Sequence, residues 1–338
     1  MATTYAIPDG RVAMAATLYT GNGSTLSVSN AVNGVSMQPD LVWVKGRSVA
    51  YSHGLYDSVR GATKRLISNL TNAEDTLSGV TAFNSGGFSL GSDINFNENA
   101  ATYVGWQWKA GGTAVSNTAG SITSSVSANP TAGFSVVQFT ATGSNATVGH
   151  GLGVAPAMVI VKDAASAGNW AMYHQSLPSA AYYLYMNTTA AQGNASNIWN
   201  STAPTSTVFS VGTWHTADRQ IAYCFSAVAG YSAFGSYTGN GSADGPFVFT
   251  NFRPRYVLIK SSSDAVNWYV YDTSRDTGNL AGNQLYPNLS NAEVSSVGID
   301  ILSNGFKMRY NASPLNASGS TYIYACFAET AFKFSNAR

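Results

Sequence analysis

Charge is what this sequence has least of. Only 10% of its 338 residues are Asp, Glu, Lys or Arg and the net charge is +1, against about 25% charged residues in an ordinary soluble domain. The longest basic cluster is Arg60-Gly-Ala-Thr-Lys-Arg65. Nucleic-acid affinity rests on many phosphate contacts, so that class of function is excluded. There are two cysteines, Cys224 and Cys326, at matching positions of two strands that would rarely meet; they read as small buried thiols, with a disulfide as the alternative. The histidines His53, His150, His174 and His215 show no His-x-His or His-Glu-x-x-His spacing, which argues against zinc. No apolar run approaches the ~18 residues of a membrane span. Met1 to Gly10 has neither the basic start nor the apolar core of a signal peptide, so synthesis in a cytoplasm is expected.

What the sequence does have is glycine, with 33 residues, aromatics at 12%, and a pattern written three times. Met37-Gln-Pro-Asp-Leu-Val-Trp-Val-Lys45 returns as Val154-Ala-Pro-Ala-Met-Val-Ile-Val-Lys162 and as Phe252-Arg-Pro-Arg-Tyr-Val-Leu-Ile-Lys260. Other landmarks keep the same order around each copy. A glycine turn precedes it (Tyr19-Thr-Gly-Asn-Gly-Ser24, Phe139-Thr-Ala-Thr-Gly-Ser144, Tyr237-Thr-Gly-Asn-Gly-Ser242). A tyrosine follows, then an Asn-centred turn at Asn69, Asn187 and Asn288, then a phenylalanine. Each unit closes on an aromatic strand: Val104-Gly-Trp-Gln-Trp108, Ile221-Ala-Tyr-Cys-Phe225, Ile323-Tyr-Ala-Cys-Phe327. The period of roughly a hundred residues is too long for a solenoid and suits a self-contained sandwich.

The expected fold is therefore all-β: three tandem homologous β-sandwich domains of jelly-roll or lectin-like type. The expected boundaries are an N-terminal arm at 1–13, repeats at 14–111, 133–229 and 230–338, and a flexible linker at 112–132 rich in Ser, Thr, Ala and Gly. The third repeat includes a short tail. Repeats two and three are expected to touch, with repeat one less constrained. Only 59–70 could pass for a short helix.

A residue present in all three copies is expected to serve the fold. Asp57 and Asp272 each precede an arginine by three residues (Arg60, Arg275), which reads as a local ion pair, and repeat two has His174 there. Lys45, Lys162 and Lys260 end the repeated strand, and their ammonium groups are expected in water above stems laid along apolar surface. The run Asp93-Ile-Asn-Phe-Asn-Glu98 starts like a calcium loop but lacks the glycine and the bidentate glutamate such a loop needs. No metal or cofactor is expected. Glycoside hydrolysis usually takes two carboxylates across a cleft, and repeat two offers only Asp163 and Asp218. The residues that do not recur are the candidates for binding. Trp199, Trp214 and His215 are flanked by polar turn residues and are expected on loops, where indole faces can stack on a sugar or anchor a protein interface. The plainer reading, which stands ahead of it, is that the tryptophans cap the open end of the core.

The runs Ile7-Pro-Asp-Gly-Arg11, Leu18-Tyr-Thr-Gly-Asn-Gly-Ser24, Leu55-Tyr-Asp-Ser-Val-Arg-Gly-Ala-Thr-Lys64, Phe83-Asn-Ser-Gly-Gly-Phe-Ser-Leu-Gly91 and Tyr103-Val-Gly-Trp-Gln-Trp-Lys-Ala-Gly111 resemble an uncharacterised β-domain family of tailed bacteriophages found in virion structural, tail-fibre-like proteins. The resemblance covers residues 7–111 closely and the later repeats more loosely. It carries no catalytic residues. It implies a non-enzymatic virion protein, assembled from the host cytoplasm without membrane insertion. The foremost reading is a tail-fibre or spike component that binds a host-surface glycan. A capsid decoration protein is the alternative, and a surface-polysaccharide hydrolase comes third. Partners would be other virion proteins and a host glycan, not nucleic acid, and a homotrimer that buries edge strands is expected.

Overall fold

The computed structural model describes residues 5–331, with side chains to 328; the tail beyond lies outside the described residues. The chain is all-β and its sheets are antiparallel. One strand order recurs three times. In the first segment the opening strand Met14–Thr20 pairs with the closing strand Thr102–Trp108, which pairs with the marker strand Leu41–Gly46 and then Gly54–Asp57. The second segment repeats this order with Phe134–Thr140, Arg219–Phe225, Met158–Asp163 and Ala171–His174. The third does so with Ser232–Thr238, Thr321–Ala331, Phe252–Ser261 and Tyr269–Asp272. Register is kept to the residue: Trp43 faces Trp106, Ile160 faces Tyr223, and Leu258 faces Ala325. The turn glycines Gly23, Gly143 and Gly241 share φ of +69°, +69° and +68°, a conformation that only glycine adopts freely.

Each of these sheets has a small second sheet on one face. Leu26–Ser29, Gly87–Leu90 and Val80–Asn84 form it in the first segment, Ala146–Gly149 and Val208–Val211 in the second. In the third it is Phe247–Phe249, Gly305–Met308, Val294–Leu302 and Leu280–Gln284. The other face of every four-strand set turns inward to one core common to all three segments. This explains why the marker strands are apolar at consecutive positions. Val42 and Val44, or Val159 and Val161, pack under the local second sheet, while Trp43, Ile160 and Leu258 reach the common core. A strand buried on both faces has no polar side to show.

At the centre, the equivalent aromatics Trp108, Phe225 and Phe327 form a triangle, with ring centroids 6.2, 5.6 and 5.6 Å apart. Around it run three sets of bonds that pass cyclically from segment to segment. Ring N–H groups at equivalent positions donate to main-chain carbonyls: His53 to Tyr286 (2.9 Å), Trp170 to Ile67 (2.8 Å) and Trp268 to Tyr185 (3.2 Å). Amides donate likewise from Glu74 to Ala164, Gln192 to Ser262 and Glu293 to Arg47, at 3.0, 2.8 and 2.7 Å. In the third set Tyr223 donates to Asp57 (2.8 Å), Trp106 to Asp272 (3.0 Å), and His174 to the Tyr324 carbonyl (3.1 Å). The Asn-centred turns hold this frame, because Asn69, Asn187 and Asn288 accept from the amides of His53, Trp170 and Trp268.

The ion pairs read from sequence are present and buried: Asp57–Arg60 and Asp272–Arg275, each 2.6 Å. Each arginine also meets a glutamate, Glu74 or Glu293. The second segment changes all three members together, to His174, Leu177 and Gln192. That is the expected logic of a buried charge network, where removing one partner alone strands the others. His174 suits its place because Ala325 stands where the other segments have a ring donor, leaving only a backbone carbonyl to meet.

Four expectations are corrected. Residues 112–132 are not a linker. Ser124–Asn129 pairs with the opening strand and Val115–Asn117 with Ser124–Asn129; with Tyr182–Tyr185 and Gly193–Asn194 at the far edge they widen the second segment's sheet to eight strands. All three seams are built alike, so the first segment is as constrained as the others. Lys45, Lys162 and Lys260 are fully buried. Their ammonium groups donate to carbonyls of Gly46, of Asp163, and of Asp264 and Thr189 (2.8, 2.6, 3.0 and 3.2 Å), and burial pushes them down to about 7, 8 and 8. An isolated sandwich would have left that sheet face wet, but here a neighbouring segment covers it. Residues 59–70 form turns and the two-residue strand Lys64–Arg65, not a helix. Cys224 and Cys326 are free and buried, as expected. Asp93 caps the one-turn helix Ile94–Asn97 through the Asn95 amide (2.9 Å).

Candidate functional site

The three segments differ most at the end of the sheet where the closing strand begins. In the first, Tyr19 faces Tyr103 across the strands and the rings stack at 5.0 Å and 10°. In the third, Tyr237 and Tyr322 do the same at 4.9 Å and 10°. An asparagine clasp closes the loops above each pair, Asn97 with Asn22 and Asn316 with Asn240. Both ends are thereby sealed.

The second segment has Phe139 facing Gln220 at this register, with Asp163 on the next strand where the others carry Gly46 and Ser261. Thr142 stands in place of the clasp asparagine, and a shorter loop, Gly212 to Asp218, returns to the closing strand. The result is a cleft of about 270 Å³ lined by Asp163, Asn169, Trp214, His215, Thr216 and Gln220 with the backbone at 167–168.

Asp163 organises the rim. One carboxylate oxygen accepts the amides of Ala165 and Ser166 (2.9 and 2.8 Å), and the other accepts the Thr216 hydroxyl. Ser166 donates in turn to Asp218 (2.7 Å), a hydrogen bond that holds that carboxyl below its usual range. Trp214 is half-buried; its indole stacks on Tyr185 at 5.8 Å and 30° and stands edge-on to His215 at 5.0 Å. Tyr183 continues the aromatic row at 4.9 Å from Tyr185. Burial pushes the Tyr185 hydroxyl up to about 12.

At and behind the cleft lie buried polar atoms with no hydrogen-bond partner among the described residues. His53, His150 and His174 each have both ring nitrogens engaged, Nδ1 by a donor and Nε2 at a carbonyl. His215 is just as buried, 1% exposed, yet neither of its nitrogens has a hydrogen-bond partner among the described residues. The Gln220 side chain and the Ile198 carbonyl come near enough to favour its cation without reaching hydrogen-bond geometry, and burial dominates, pushing the ring down to about 4. Gln220 Oε1 and Trp199 Nε1 are likewise buried and unpartnered. Two of these side chains, His215 and Gln220, line the cleft side by side, and buried polar groups in native proteins are almost always satisfied. A second groove of about 330 Å³, at Ser116, Ser125, Gln138 and Arg219, has no such group.

Of the residues singled out in the sequence, Trp214 and His215 meet in this cleft. Trp199 does not: it is 2% exposed, on the single helical turn Ser196–Trp199, with its ring behind His215 at 5.8 Å. It packs in the second segment's own core, so the loop expectation is corrected and the core-capping alternative holds for it. Asp163, Asn169 and Gln220 were missed. The signal was available, because Gln220 stands at the position of Tyr103 and Tyr322. No group of three or more His, Cys, Asp or Glu among the described residues is placed to hold a metal ion, and no described helix is long and apolar enough to cross a membrane.

Residues 12–331 match the profile of DUF7483, a domain of unknown function. The chain belongs to that family. One profile spans all three segments, in keeping with their common core. No curated protein matches the sequence.

Proposed function

We propose that the chain is a non-enzymatic bacteriophage virion structural protein, a tail-fibre or spike component that binds a host-surface glycan through the cleft of its second segment. The observation that carries the binding reading is the set of orphaned polar atoms on His215 and Gln220 beneath the half-buried face of Trp214. An apolar platform beside convergent donors and acceptors suits a sugar, which presents C–H faces and hydroxyl edges. The virion reading rests on the phage-family resemblance. Hydrolysis is disfavoured because both acids of the segment are engaged, Asp163 by two amides and Thr216, Asp218 by Ser166, whereas a glycosidase needs two carboxyl groups facing each other across the substrate. A glycan array with the native chain and Trp214→Ala tests the binding. A buried aromatic anchor is worth ~2 kcal/mol or more, so the variant is expected to lose at least ~10-fold in affinity, and undiminished binding sinks the site.

A second reading, a capsid decoration protein, is favoured by the cyclic seams: a chain with internal threefold pseudosymmetry fits a local threefold position as a single copy. Gold-labelled antibody on whole particles separates head from tail. We infer further that residues 14–111, 133–229 and 230–338 descend from one copied unit.

A further inference from the structure

We propose that the cleft accepts a single uncharged pyranose ring, with one face on Trp214 and hydroxyls at His215 and Gln220, and that it rejects acidic sugars. This inference rests on the glycan reading above and deepens it. Size sets the first limit. At about 270 Å³ the cleft lies just below the 300–1,000 Å³ of pockets for drug-sized ligands, enough for one ring with further residues leading outward past Thr216.

Charge sets the second. No lysine or arginine lines the cleft, and Asp163 is its one charged group. A carboxylate or phosphate placed here would lie beside Asp163 with no cation to offset its desolvation.

Hydrogen-bond character sets the third. His215 is neutral at ordinary pH, its ring pushed down to about 4 by burial, so it offers one N–H and one bare nitrogen. Gln220 Oε1 and the free lone pairs of Asp163 only accept. A hydroxyl both donates and accepts and can satisfy such a set, whereas an anionic oxygen accepts only and would face Gln220 Oε1 and Asp163 in repulsion. The platform is also held in place: Trp214 contacts both Tyr185 and His215, so little ordering is needed on binding. The equivalent ends of the first and third segments are filled by stacked tyrosines, which gives one site per chain.

The test is saturation-transfer NMR on the full chain with glucose, galactose, mannose and N-acetylglucosamine against glucuronate, N-acetylneuraminate and galactose 6-phosphate. The expected result is transfer to at least one neutral sugar at least tenfold stronger than to any acidic one. Gln220→Met and His215→Phe, which keep size and remove the orphaned atoms, should each weaken that binding at least tenfold with an unchanged unfolding midpoint or a higher one. Equal or stronger binding of the acidic sugars, lost in Trp214→Ala, overturns this inference and leaves the glycan reading standing. Neutral-sugar binding untouched by Gln220→Met and Trp214→Ala overturns the site. Binding of no sugar in the panel or on the array overturns both.

Discussion

Substituting Asp57 by Asn tests the ring of seams where it is most heavily used. The Asp57 carboxylate is fully buried and accepts from Arg60 Nε (2.6 Å), the amides of Val59 and Arg60 (3.1 and 2.9 Å) and Tyr223 of the second segment (2.8 Å). Arg60 is itself fully buried, so the amide leaves it only Glu74, which Arg219 shares, and places N–H where N–H and O–H already point. Breaking one partner of a buried pair costs about 3–5 kcal/mol. The second segment shows how the same place is built without charge. Importing its set, Asp57→His with Arg60→Leu and Glu74→Gln, removes the stranded charge. What remains is the fit of Tyr223 and the loss of Glu74 by Arg219, which is one-third exposed; such a pair is worth ~1 kcal/mol at most. The triple variant should therefore lose about 2 kcal/mol or less. Urea unfolding measures both: the midpoint should fall much further for the single substitution than for the triple, with similar slopes. An Asp57→Asn loss below ~1 kcal/mol, or a triple variant worse than the single, would mean that the buried pair does not hold this seam.

Three further outcomes are expected. Trp199→Ala should cost about 3–5 kcal/mol as a core truncation, while Trp214→Ala should cost ~1 kcal/mol and remove glycan binding, a split read by unfolding and array together. The buried histidines His53, His174 and His215 are held below their ordinary range by desolvation. Between about pH 6.5 and 5 the unfolded chain binds protons that the folded chain refuses, so stability should decline as pH falls through that window; urea midpoints taken across it check this, and a flat profile would contradict it. Cys224 and Cys326, buried with their thiols pushed up by desolvation, should react with a thiol reagent only at the rate of unfolding, so prompt labelling of the native chain would count against the buried placement.

Much of the architecture was legible because strand, turn and closing aromatic recur in the same order, and the register bears out each landmark. Segment packing was not. A strand apolar at consecutive positions, such as Leu41 to Val44, announces burial on both faces but not what lies on the second. Reading each unit as a free-standing sandwich put Lys45, Lys162 and Lys260 in water and made 112–132 a linker, although Val115 and Ser124 to Asn129 extend a sheet. The meaning of Asn69, Asn187 and Asn288 also lay in three dimensions, since each holds an amide whose own ring reaches across a seam. At the candidate site, non-recurrence is a guide that was applied too narrowly. It found Trp214 and His215, yet favoured conspicuous aromatics. Of the two readings open for Trp199, loop or core cap, its buried ring fits the second, and Gln220, a modest amide in a tyrosine's place, carries no conspicuous signal.

The most direct measurement is a structure of the full chain soaked with a neutral saccharide that it binds. One sugar ring is expected against Trp214, with hydroxyls at His215 and Gln220, and nothing at the sealed ends marked by Tyr103 and Tyr322. A sugar seated at either of those ends, or away from the second segment altogether, would contradict it.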